Sequence, residues 1–279
     1  MTLIQPIDRA RPALADAMPQ RDDTPTLLAA GVLAYVAQTM LHEAVGHGGV
    51  CLAQGHRVTM LAPLWMRCSD VTKPMVAAGP AANVLAALLC LAALRVLTPR
   101  HPVAGLLLWL SFAFNALVAC FYLAVGAATG FGDWPALFAR VDPSFLWRMP
   151  AALIAVLGCY LCLGLAGGLF RRLAGHGPVA QARLWRRALW PATGAATVAC
   201  AAEIVGGRAG LVPLLLALGC TLAVGLSLTS LSDAVFRVRP GDRDLGPVGR
   251  SFPLIVLAVA VAAGFVFAIG PGLDPAVWF

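Results

Sequence analysis

Two histidines and a glutamate stand within six residues, His42-Glu43-Ala44-Val45-Gly46-His47, at the end of an apolar run of about membrane-spanning length. The chain of 279 residues has only two glutamates and five histidines, and three of those seven side chains fall in this hexapeptide. Two imidazoles enclosing a carboxylate suit zinc hydrolysis. The histidines would be ligands, and the glutamate would take a proton from metal-bound water. The spacing His-Glu-x-x-x-His, however, is one residue longer than the usual His-Glu-x-x-His. In a regular helix, residues four apart are offset by about 40° and share a face, whereas residues five apart are offset by about 140°. An unbroken α-helix therefore cannot aim both imidazoles at one ion. A π-type bulge absorbs one residue and restores the shared face. Gly46, directly before His47 and followed by Gly48-Gly49, is where the helix is expected to relax.

The elements that must carry this motif follow from composition. The chain is 60% hydrophobic and only 12% charged, against roughly 25% charged residues in an average soluble domain. The fold class this implies is an all-α polytopic membrane protein embedded in a lipid bilayer. Its net charge of +7 requires no nucleic acid, because basic loops beside a bilayer are ordinary. Seven spans are expected, at about Thr26–Ala53, Pro74–Leu97, Val103–Ala128, Ala151–Phe170, Ala188–Val205, Leu211–Leu231 and Phe252–Ile269. The β-prone stretch Gln54–Cys68, flanked by glycine and proline, reads as a small ribbon or re-entrant loop after the first span. Residues 1–26 are polar, carry four prolines and lack the basic-then-apolar pattern of a cleaved signal. They read as a disordered tail before an uncleaved first span.

On this topology the N-terminal side collects fourteen of the twenty basic residues, most of the excess lying between Arg171 and Arg187. That asymmetry favours a cytoplasmic N-terminus. Cys51 and Cys68, which bracket the polar ribbon, then face the side where a disulfide persists. They are either bridged or two free thiols at an interface. The other six cysteines lie in apolar segments, where cysteine is a small buried hydrophobe, and the Cys159-x-x-Cys162 pair is read as packing. Glu203, near the end of its span, is expected to be an interfacial acid.

A catalytic zinc needs a third protein ligand. His101 and His176 fall at the opposite face from the motif, and His56 lies in a loop. Asp133 is better placed, after the third span, at the level of the motif, between Gly132 and Trp134. The ordered set of a His-Glu…His motif, Gly79-Pro80-Ala81-Ala82-Asn83 opening the next helix, and a glycine-flanked aspartate after the third resembles the site-2 protease family of intramembrane zinc metalloproteases. The family's G-P-x-x-N signature matches Gly79, Pro80 and Asn83. The resemblance covers about residues 27–148, a three-helix core, and leaves 149–279 as an accessory membrane region. It implies that His42, His47 and Asp133 bind Zn2+, that Glu43 is the general base, and that Asn83 holds substrate or the developing oxyanion. An asparagine in an apolar helix must in any case find a partner.

Two departures stand out: Trp134 follows the aspartate where the family commonly has glycine, and the histidine spacing is expanded. The expanded spacing alone is similar to that of dipeptidyl peptidase III. The expected activity is hydrolysis of peptide bonds in membrane-protein or peptide substrates at the plasma (inner) membrane of a bacterium. The alternatives are a non-proteolytic zinc-binding relative that scaffolds membrane proteins, and a transporter with an ionisable path. The latter lacks the internal repeat that marks many transporters.

Overall fold

The computed structural model describes residues 21–96, 101–174, 177–207, 211–231 and 245–274. Helix α1 (Thr24–Met40) begins at an Asp23 N-cap, whose side chain accepts from the Thr26 N–H at 3.0 Å and the Thr26 hydroxyl at 2.8 Å. It runs without interruption into a π-helical segment, Leu41–Gly48, and then α2 (Gly49–Ala53), making one 30-residue rod. Strands β1 (Val58–Ala62) and β2 (Trp65–Cys68) follow as an antiparallel ribbon in which Leu61 faces Met66. The remaining helices are α3 (Lys73–Val96), α4 (Pro102–Thr129), the short α5 (Asp133–Leu137), α6 (Phe145–Ala174), α7 (Gly177–Val205), α8 (Leu211–Thr229) and α9 (Phe252–Gly264). A second π-helical stretch, Phe265–Ile269, ends α9.

The chain is thus a helical membrane protein with a small ribbon after the first span. Among the described residues, six helices are long and apolar enough to cross a membrane, not seven. The segment expected as the sixth span does form a 19-residue helix, α8, and its part Leu218–Thr229 is an apolar helix among the described residues. The fifth span also differs. It was expected from Ala188, but α7 starts at Gly177 and takes Arg183, Arg186 and Arg187 into the helix. These arginines do not lie in a loop because their helix packs on the bundle and gives them partners. Glu203, expected at the interface, is buried for the same reason.

Helix α1 sits centrally, with α7, α9 and α4 around it. Small residues permit these contacts. A Cβ on Gly31 would run into the backbone of Pro191 in α7, and one on Gly194 would strike the Leu28 carbonyl. Pro191 is therefore a point of close helix contact and not the end of a span. Leu27, Leu110, Phe114, Leu117, Phe170 and Leu184 fill the core, while Leu153, Ile154, Leu157, Tyr160 and Leu161 of α6 face outward, as a lipid-contacting surface requires.

Residues 1–20 of the expected tail lie outside the described residues. Its last residues are built into the bundle. The Asp22 carboxylate accepts from Arg187 Nε at 3.0 Å, from Arg187 Nη2 at 2.9 Å and from the Val248 N–H at 2.7 Å. Both side chains are almost wholly buried. Asp23, by contrast, pairs with Arg250, whose side chain is 55% exposed. Truncating one partner of a buried, hydrogen-bonded pair strands the other charge, at a cost of about 3–5 kcal/mol, whereas an exposed pair contributes about 0–1 kcal/mol. Asp22→Ala should accordingly lower stability by about 3–5 kcal/mol in a denaturant titration of the detergent-solubilised protein. Arg250→Ala in the same titration should shift it by less than about 1 kcal/mol.

Candidate metal centre

The five-residue offset is resolved by the helix itself. Leu41–Gly48 is π-helical throughout, so the expected relaxation near Gly46 spreads across the whole motif. Widening each turn brings His42, Glu43 and His47 to one side, all three buried. Their ligand-type atoms lie within 4.8 Å of one another, a group able to hold a metal ion.

Each imidazole is fixed from behind through Nδ1. His47 Nδ1 donates to the Met75 carbonyl at 2.8 Å. Because a carbonyl can only accept, the proton of neutral His47 sits on Nδ1 and leaves the Nε2 lone pair free. His42 Nδ1 lies 3.1 Å from the side-chain amide of Asn83, whose other polar atom, Oδ1, is buried without a partner. A half-turn of that amide lets Oδ1 accept from Nδ1–H and frees Nε2 of His42 in the same way. Asn83 thus stands behind a histidine and orients it, as carboxylates and carbonyls orient the imidazoles of metal sites.

Helix α3 can approach this closely because of Gly79. A Cβ there would collide with Nε2 of His47 and come within 2.7 Å of Nε2 of His42. Gly46 shares the contact, since a Cβ on it would lie 2.7 Å from both the Ala78 carbonyl and Gly79 Cα. The glycine of the Gly79-Pro80 pair therefore forms one wall of the site.

Asp133 completes it. Helix α4 ends at Gly130 in the left-handed region (φ 74°), and Gly132 (φ 101°) turns the chain back so that Asp133 opens α5. The Asp133 N–H donates to the Tyr122 hydroxyl at 3.3 Å. Its Oδ2 lies 3.1 Å from His42 Nε2 and 3.2 Å from His47 Nε2, and the two Nε2 atoms are 3.2 Å apart. Burial alone would raise the Asp133 carboxyl, but the hydrogen bonds of His42 and His47, and their charge when protonated, outweigh it and hold it at about 2, so it stays anionic.

Two imidazole lone pairs and a carboxylate oxygen thus converge on a nearly equilateral triangle. A small tetrahedral cation with ligands at ~2.0–2.1 Å sets them about 3.4 Å apart, so the three atoms fit such an ion with little movement. Glu43 stands beside this triangle. Its Oε2 is buried with no hydrogen-bond partner among the described residues. A cavity of about 120 Å³ opens there, lined by Gln38, Thr39, His42, Glu43, Trp65 and Tyr122 among others. In chemical terms this is a water-sized space with a free carboxylate next to a cation site.

The structure brings His42, Glu43, His47, Asn83 and Asp133 together from three separate helices. It also joins Cys51 to Cys68 in a disulfide that ties the base of the ribbon to the end of the first rod. His56 is not part of the site; it pairs with exposed Asp70 at 3.7 Å. His101 caps the far end of α4, and His176 lies outside the described residues. No residue pattern singles out Met75, whose contribution is a backbone carbonyl, or Tyr122. A phenol inside an apolar helix was the available signal, and two of the chain's three tyrosines, Tyr35 and Tyr122, line this cavity. Compared with protein families, curated proteins and solved structures, the chain finds no match.

The wall formed by Gly79 yields a direct test. Gly79→Ala should cost at least about tenfold in metal affinity, the scale of losing one orienting contact, measured by competition with a chromogenic chelator. Gly49→Ala, where an added Cβ meets nothing within 4 Å, should leave affinity unchanged.

Proposed function

We propose that this protein is an intramembrane zinc metalloprotease of the site-2 protease type. The observation that carries the reading is the triangle of His42 Nε2, His47 Nε2 and Asp133 Oδ2, with 3.1–3.2 Å edges, beside the Glu43 carboxylate, whose Oε2 has no partner among the described residues. The donor set favours zinc, since two neutral imidazoles and one carboxylate leave a fourth tetrahedral position open, as catalytic zinc requires. When bound, the metal would polarise a peptide carbonyl and acidify water.

The chain's own residues supply the rest. Glu43 takes the proton of the attacking water and passes it to the leaving amine. Its burial suits this role, because nothing else competes for its free oxygen. Asn83 and the Met75 carbonyl keep the imidazoles aimed. A helical substrate has its carbonyls tied up in backbone hydrogen bonds, so a membrane-spanning substrate must unwind locally to present one to the site. The ribbon is suited to receive it. The Met66 backbone hydrogen-bonds the Glu43 carboxylate, so the outer edge of β2 borders the reacting centre, where a peptide strand can pair by main-chain bonds.

The substrate class is a membrane protein or membrane-associated peptide. The membrane in this reading is a bacterial inner membrane; the basic residues favour a cytoplasmic N-terminus, and the Cys51–Cys68 disulfide agrees with a site opening toward the other side.

Metal analysis of the purified protein separates the roles. Wild type should hold one zinc per chain, while His47→Ala and Asp133→Ala should hold almost none. Glu43→Gln should keep its zinc yet cleave a transmembrane reporter at least ~100-fold more slowly, the lower range for a general base. Equal zinc in all four proteins would remove the reading at its root.

A further inference from the structure

Tyr122 of α4 is placed for a task that the ligands and Glu43 leave open. Its ring packs edge-on against His42, with centroids 5.7 Å apart. Its hydroxyl accepts the Asp133 N–H at 3.3 Å, and it lines the same cavity as Glu43. The loop is shaped around that hydroxyl, since a Cβ on Gly132 would lie 2.6 Å from it. A phenol oxygen that accepts one hydrogen bond still carries a proton to donate. Among the described residues, no acceptor receives it.

We infer that Tyr122 is a catalytic residue whose hydroxyl donates a hydrogen bond to the scissile carbonyl oxygen as that oxygen becomes anionic. The inference rests on the peptide-hydrolysis reading of the site. Attack of water on a carbonyl moves charge onto its oxygen, and a donor fixed beforehand stabilises that charge without reorganising. Tyr122 meets this condition because the bond from Asp133 anchors its oxygen, leaving rotation of the O–H as its only freedom. Asn83 is poorly placed for the same work, since its amide is engaged behind His42. No proton is transferred in this role. The hydrogen bond strengthens as negative charge builds and relaxes as the carbonyl re-forms.

The test compares zinc-loaded wild type, Tyr122→Phe and Tyr160→Phe, the last altering a phenol on the outer surface. Three quantities are read: zinc content, the kcat and KM for a reporter peptide, and the Kd of a phosphinic peptide whose tetrahedral anion mimics the attacked carbonyl. Tyr122→Phe should keep full zinc and a KM within about twofold, lose about 10²-fold in kcat, and bind the phosphinic peptide more weakly by a similar factor. Tyr160→Phe should match wild type throughout. Unchanged kcat and Kd in Tyr122→Phe would overturn the assignment and leave the protease reading intact. Loss of zinc, or a rise in KM alone, would also overturn it by showing that the phenol only holds the Asp133 loop. A zinc-loaded wild type that neither cleaves the reporter nor binds the phosphinic peptide would overturn both readings together.

Discussion

The two imidazoles stand five positions apart, and one helix brings both to one point. Everything around the site is a response to that constraint. Widening the helix over Leu41–Gly48 turns His42 and His47 together, but a π-helix packs its own backbone less well than an α-helix and survives where its surroundings hold it. Here α3 does so. Gly46 meets Ala78 and Gly79 backbone to backbone, and Met75 and Asn83 of the same helix take up the two Nδ1 atoms. The packing that tolerates the irregular helix and the hydrogen bonds that aim the ligands therefore come from one partner.

A second constraint is the cost of polar groups in a low-dielectric interior. In hydrocarbon every polar atom must be satisfied within the protein, and two places elsewhere in the bundle show how. Trp109 Nε1 donates to the Ala166 carbonyl at 2.9 Å, and Asp22 and Arg187 neutralise each other. The motif region is different. His42 Nε2, His47 Nε2 and Asp133 Oδ2 lie 3.1–3.2 Å from one another, and beside them is a Glu43 oxygen with no partner among the described residues. Such a concentration is costly unless a cation and water share it, so a cation held there would stabilise the region.

Much of this was legible in the sequence because it depended on spacing and rarity. A motif holding three of the seven histidines and glutamates, an oversized helical repeat and a glycine-flanked aspartate are local facts, and the structure joins those residues. The ribbon also followed from local pattern, and the Cys51–Cys68 bridge is one of the two states that pattern left open. What stayed hidden depended on other parts of the chain. The arginines of α7 look like a loop until Asp22 and the Gly246 carbonyl are seen to receive Arg187. Pro191 looks like a break until Gly31 is found against it. Tyr122 has no motif, and its relevance arises only when Gly132 bends the chain onto its hydroxyl. The role of Asn83 was placed on the substrate side by analogy, whereas the geometry puts it behind His42.

The ribbon has one further property. Leu61 of β1 exchanges both main-chain hydrogen bonds with Leu273, at 2.8 Å each, so the outer edge of β1 is occupied there. Opposite Leu61 across the ribbon is Met66, whose backbone faces the other way, toward Glu43. The sheet can therefore grow in one direction only at this point, and that direction leads to the carboxylate. A strand added there would be held by its backbone, with alternate residues pointing to opposite faces. Register along β2, more than the identity of any one side chain, would then decide which peptide bond lies over the triangle.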